Sequence, residues 1–217
     1  MKVASESQSD RKHQSMLDAG RSLFLKQGYD GTSMEEIAIK AGVSKQTVYK
    51  HFADKRRLFE EIVLATTDQV DGVVGMVSSA LAATNDLERD LVALARGLMN
   101  SLMEPQLLRL RRLIIANAEL MPEVGRAWYE QGFQRVLATV ATCFKRLSDE
   151  RLLAVEDPML AANHFAGLLL WIPINEAMFT GSERPASKAA LDRYVFGAVK
   201  VFLAAYAPTQ QRRRAKR

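Results

Sequence analysis

Apolar residues recur along the chain at spacings of three and four, and no stretch alternates apolar with polar long enough for a strand. The pattern predicts an all-α chain. Residues 1–9 are polar and are expected to form a disordered tail. A first helix is predicted over about 10–27, with Met16, Leu17, Leu23 and Phe24 as its apolar stripe and Gly28 as its stop. A second spans about 34–41: Ser33 is a good N-cap, Glu36 stands three residues on as its capping-box partner, and Gly42 ends the element. A third runs from 45 to 51 with Ser44 as N-cap. A fourth starts after Asp54 and is expected to continue to about Ala83.

Beyond it the periodicity predicts further helices over Asp86–Met103, Pro105–Leu120, Pro122–Asp149, Asp157–Phe179 and Ser187–Tyr206. Asp157-Pro158 is an N-cap followed by proline at the first helical position, and Pro173 is expected to kink the helix that follows. The organisation read from this is a disordered tail at 1–9, a three-helix helix-turn-helix domain at 10–56, a helical domain at 57–207, and a basic tail at 208–217.

Charge sharpens the picture. Residues 1–60 hold 11 Lys/Arg against 8 Asp/Glu, residues 61–209 hold 14 against 17, and residues 210–217 hold 5 against none. The body is mildly acidic and both ends are basic, so a nucleic-acid contact is expected at an end. The single cysteine, Cys143, excludes an internal disulfide and reads as a small buried hydrophobe. The start carries no apolar stretch of the kind a secretory signal needs, and the run Phe165–Ile174 is too short to span a membrane, so a cytoplasmic protein is expected. No phosphate-binding glycine loop, serine-hydrolase elbow or His-Glu-x-x-His occurs, and the three histidines are scattered, so no enzyme, cofactor or metal site is expected.

The informative stretch is Gly28–Leu58. Gly42 supplies the positive φ that a tight turn between two short helices needs. Ile37, Ala38, Val48 and Phe52 face inward, leaving Lys45, Gln46, Thr47, Tyr49, Lys50 and His51 outward on the second of the two helices. Between 40 and 57 six basic residues stand against one acid, Asp54. A short helix with a polar, basic exterior suits the DNA major groove, and the local excess of charge suits phosphates.

The residues Gly28-Tyr29, Thr32-Ser33, Ile37-Ala38, Ala41-Gly42-Val43-Ser44, Thr47-Val48-Tyr49, His51-Phe52, Lys55 and Leu58 follow one pattern. It resembles the DNA-binding domain of the TetR/AcrR family of bacterial regulators. The resemblance implies that Thr32, Ser44, Tyr49, His51 and Lys55 contact the phosphate backbone, and Ser33 is expected at the DNA with them. It also implies that Lys45, Gln46, Thr47 and Lys50 face the groove. Gln46 departs from the small residue common at its position; it either reads adenine or reaches a phosphate.

Leu113-Ile114-Ile115, Glu119, Pro122-Glu123, Tyr129, Asp157-Pro158 and Ala161-Ala162 resemble the C-terminal domain of the family's AefR-like subgroup. That implies a homodimer and a cavity for a small, apolar effector. Met99, Met103, Leu107, Trp128, Phe133 and Trp171 are candidate walls, and Glu119 and Asn163 candidate polar contacts; the same residues could equally be core. The function implied is a repressor released from a palindromic double-stranded operator by its effector. A ligand-responsive activator, or a non-specific DNA-binding protein using the Arg212–Arg217 tail, are the alternatives.

Overall fold

A computed structural model describes residues 8–66, 70–181 and 187–208. Most of the expected N-terminal tail, and the basic tail from 209 on, lie outside the described residues. Within them the chain is all-α, with eleven α-helices and no strand. It divides into two compact units.

Of the described residues, the first unit contains 8–66 together with 109–128. Its N-terminal helices are α1 (Gln8–Gln27), α2 (Met34–Ala41), α3 (Lys45–His51) and α4 (Lys55–Ala65). Met16, Phe24, Ile37, Val48, Phe52, Leu58, Phe59 and Ile62 are each at most 1% exposed and form one core. Burying each such side chain contributes roughly 1.5–3 kcal/mol. The end of α7 (Pro105–Ala116) and α8 (Pro122–Trp128) join this core through Leu110, Ile114, Met121 and Val124. Arg56 on α4 forms an ion pair with Glu123 on α8. The unit therefore gathers sequence from well beyond residue 56.

The fourth helix is shorter than its apolar pattern predicts. After Ala65 the Thr66 amide bonds three residues back to the Val63 carbonyl, and its hydroxyl donates to the same oxygen (2.6 Å), so the last turn closes in the tight three-residue form. Helix α5 then occupies Val70–Ala80. Likewise α7 stops at Ala116 rather than Leu120. Asn117 and Ala118 donate their amides three residues back, to Ile114 and Ile115, and the Asn117 side chain donates to Leu113 O (2.8 Å). These bonds tighten the last turn and end it.

Of the described residues, the second unit holds 70–108, 129–181 and 187–208. It contains α5, α6 (Leu87–Leu102), α9 (Arg135–Asp149), α10 (Pro158–Thr180) and α11 (Lys188–Tyr206). Phe144, Phe165 and Phe202 pack ring against ring at its centre, with centroids 4.8–5.6 Å apart. Cys143 is buried there, as expected, and burial pushes its thiol pKa up. The run expected as one helix from Pro122 to Asp149 is interrupted: Tyr129–Gln134 forms a π-helical turn between α8 and α9, where the boundary between the two units falls. Helix α10 runs through Pro173. It and α11 leave Trp171, Ile172, Phe179, Phe196 and Val201 at least half exposed.

Candidate nucleic-acid interface

Local sequence builds the second and third helices as a fixed pair. The Ser33 side chain accepts from the Glu36 amide (3.2 Å), and the Glu36 carboxylate accepts from the Ser33 amide (2.9 Å), which completes the capping box. The Ser33 hydroxyl and the Gln27 amide donate to the same carboxylate. Together these bonds, led by the Ser33 amide, hold the Glu36 pKa below its ordinary value. At the other end Gly42 is left-handed (φ 68°, ψ 32°); its amide donates to Ile39 O, and that of Val43 to Ala38 O. This closing motif needs a residue without a Cβ penalty at position 42. The Ser15 hydroxyl on α1 satisfies the Ala41 carbonyl (3.1 Å).

Helix α3 starts at once. The Ser44 side chain accepts from the Thr47 amide (3.1 Å), which caps the helix. Val48 and Phe52, both fully buried, anchor its inner side. Its outer side presents Lys45, Gln46, Tyr49 and Lys50 as exposed residues, with Thr47 and His51 half-buried at the edges. Lys45 forms an ion pair with Glu35 on α2, an exposed contact in which the Glu35 pKa is lowered and that of Lys45 raised, chiefly by the hydrogen bond between them. Such a pair is worth little in water and is easily exchanged for a phosphate.

Two further clusters brace the pair. In the turn before α2, the buried Thr32 donates its hydroxyl to Gly28 O (2.8 Å). The Lys55 ammonium donates to Tyr29 O (2.8 Å) and Thr32 O (3.0 Å), and lies 4.4 Å from the Tyr29 ring centre. At the end of α3, His13 of α1 stacks on Phe52 (5.0 Å). Its Nε2 lies 2.5 Å from a Glu61 oxygen, and its Nδ1 lies 3.4 Å from Nδ1 of His51.

Of the ten residues expected at DNA, Lys45, Gln46, Thr47, Tyr49, Lys50 and His51 thus share one helix, with Ser44 at its N-cap. Ser33 serves the capping box, while Thr32 and Lys55 are bonded within the protein. The residues expected to line an effector cavity are dispersed. Met99 and Met103 are buried in the second unit's core, and Phe133 packs against it. Leu107 is half-buried in that unit, Asn163 is exposed, and Trp171 is 67% exposed. Glu119 and Trp128 belong to the first unit.

Sequence reading missed the contribution of 109–128 to the first unit. The signal was present: Arg111 stands three residues before Ile114, on a stripe that is otherwise apolar. It also missed His13 and Glu61, whose partners lie far off in the chain and leave no periodic trace.

Residues 16–62 match the profile of the bacterial regulatory proteins of the tetR family. Residues 89–208 match that of the AefR-like transcriptional repressor C-terminal domain. A crystal structure of a TetR-family transcriptional regulator from Mesorhizobium loti MAFF303099 is 52% identical, with a TM-score of 0.87, covering 94% of this chain and 100% of that one. The flavonoid-responsive regulator FrrA is 28% identical with a TM-score of 0.72, covering 92% and 98%. The transcriptional activator FasR of Mycolicibacterium smegmatis is 36% identical over 84 residues, which are 39% of this chain and 37% of FasR. The chain thus matches only about a third of the length of such curated relatives.

Proposed function

Because the chain belongs to the TetR family of bacterial transcription regulators, and so is no enzyme, we propose that it is a ligand-responsive repressor acting in the cytoplasm on a palindromic operator. The observation that carries this is the outer side of α3. Lys45, Gln46, Tyr49 and Lys50 stand exposed on a helix held by Val48, Phe52 and the Ser44 cap. Lys45 exchanges Glu35 for DNA, Gln46 reads a base edge, Lys50 faces the groove beside them, and Tyr49 and His51 hold phosphates. Thr32 and Lys55 act from within, by shaping the turn that leads into α2.

One such helix reads a short half-site, so two copies are needed. The exposed apolar residues of α10 and α11 supply the self-complementary surface of a two-fold dimer. The effector acts by population shift, favouring a dimer whose two reading helices no longer match the operator. That a related regulator is named flavonoid-responsive supports a small organic effector. Met99, Met103, Leu107 and Phe133, with Asn163 and Trp171, are the residues of the second unit assigned to it. Packing of 109–128 against α4 supports the coupling, since part of the region matched by the C-terminal profile is built into the DNA-binding unit.

The test is transcription. Deleting the gene should raise output from a promoter that the purified protein binds. A fall in output would instead support the second reading, activation, which the similarity to FasR favours.

A further inference from the structure

Arg111 is out of place by ordinary rules. It lies in α7 between Leu110 and Ile114, and only 8% of it is exposed. Buried arginine is rare unless paired, because its guanidinium stays charged and cannot escape the cost of desolvation by losing a proton. Yet among the described residues no carboxylate or carbonyl accepts a hydrogen bond from it. Its one partner is the indole of Trp128, whose ring centre lies 5.2 Å from the guanidinium carbon. Burial alone, with no neighbouring charge offsetting it, lowers the Arg111 pKa. The nearest acid in sequence on α8, Glu123, is already paired with Arg56. A contact with an aromatic face offsets only part of what burying an unpaired charge costs.

We propose that Arg111 and Trp128 form the charge-recognising end of a binding site for a carboxylate ligand with an apolar body. The guanidinium offers a planar pair of N–H donors that match a carboxylate in two parallel bonds. The half-buried Trp128 ring stands over the same group and supplies an apolar wall. Both residues belong to the unit that carries α3, so a ligand there acts within the DNA-binding unit itself. The inference deepens the ligand-responsive reading by naming the chemical class of the ligand, but the binding event stands independently of it.

Melting temperatures and DNA binding are measured on the unsubstituted full chain, and emission on the same chain with Trp171→Phe, which leaves Trp128 as the only tryptophan. Decanoate and 2-naphthoate are titrated against decanol and 2-naphthylmethanol, with melting temperature and Trp128 emission as readouts. The carboxylates should raise the melting temperature and shift the emission, at concentrations at least tenfold below those the alcohols need. Arg111→Met, which keeps the bulk and removes the unpaired charge, should raise the melting temperature of the ligand-free protein and abolish the carboxylate response. Equal action of acids and alcohols, or no response to either acid, would overturn the proposal. So would a lower melting temperature or loss of folding in Arg111→Met, since the arginine would then be a structural group. The wild-type comparison of acid with alcohol does not depend on that variant. DNA binding is measured separately by mobility shift on a selected operator. If carboxylates bind and leave DNA affinity unchanged, the site stands and the ligand-responsive reading fails.

Discussion

Replacing Lys55 with methionine removes one ammonium and keeps the alkyl stem that packs beside Tyr29. The structure says what is lost: two hydrogen bonds from a charged donor to Tyr29 O and Thr32 O, and the contact with the Tyr29 ring. A hydrogen bond to a charged group contributes about 1.5–3 kcal/mol when buried. Lys55 is only half-buried, and Tyr29 O keeps a second donor, the Thr32 amide at 3.3 Å, so each bond is discounted to the low end or below. Adding about 0.5 kcal/mol for the ring contact gives a loss of roughly 2 kcal/mol. Urea unfolding followed by circular dichroism should show this as a lower midpoint with an unchanged slope. DNA affinity should fall on every sequence alike, because the turn before α2 is loosened. Its dependence on salt should change by well under one unit in the log–log slope, since the ammonium is spent inside the protein. An unchanged urea midpoint combined with a slope lowered by about 1 would refute this reasoning and place Lys55 on a phosphate.

Three other outcomes follow from particular residues. Gln46→Ala should change the preferred base at one position in each half-site, read by binding to a library of single-base variants; a uniform loss across the library would remove Gln46 as a reader. Phe196→Arg puts a charge on the exposed apolar surface of α11, so light scattering should report a monomer and specific DNA binding should vanish; a dimer of unchanged affinity would move the interface elsewhere. The Glu36 carboxylate has its pKa lowered by bonds that its charged form accepts more strongly than its neutral one, so its contribution is present above the ordinary value of 4.5 and is lost as pH falls through the lowered one. Glu36→Gln, which can still reach the Ser33 amide, should flatten the fall of stability with acid in that window; identical pH profiles would mean that the capping box does not titrate with folding.

Helices α2 and α3 were legible in the sequence because their signals are local. Ser33, Glu36, Gly42 and Ser44 are caps whose chemistry acts within four residues, and the structure places α2 and α3 at the bounds those caps predict. The inward set of Ile37, Ala38, Val48 and Phe52 followed from helical period alone. What stayed hidden depends on distant partners. Helix α4 looked continuous because no glycine or proline marks its end; the last turn closes at Thr66 through bonds three residues back. The engagement of Lys55 with Tyr29 and Thr32 spans more than twenty residues, as does the pairing of His13 with Glu61. The effector set was chosen by residue type, which does not distinguish a wall from a core: Met99 packs in the interior while Trp171 stands in solvent.

The central claim is that the outer side of α3 reads DNA as one half of a symmetric pair. Selection of random duplexes by the purified full chain, at a stated salt concentration, tests it most directly. The account predicts an enriched palindrome whose half-sites are centred about one helical turn, or a multiple of it, apart. It also predicts that enrichment is lost when Lys45, Gln46 and Lys50 are all replaced by alanine. Binding that enriches no sequence, or enrichment that survives the triple replacement, would contradict it.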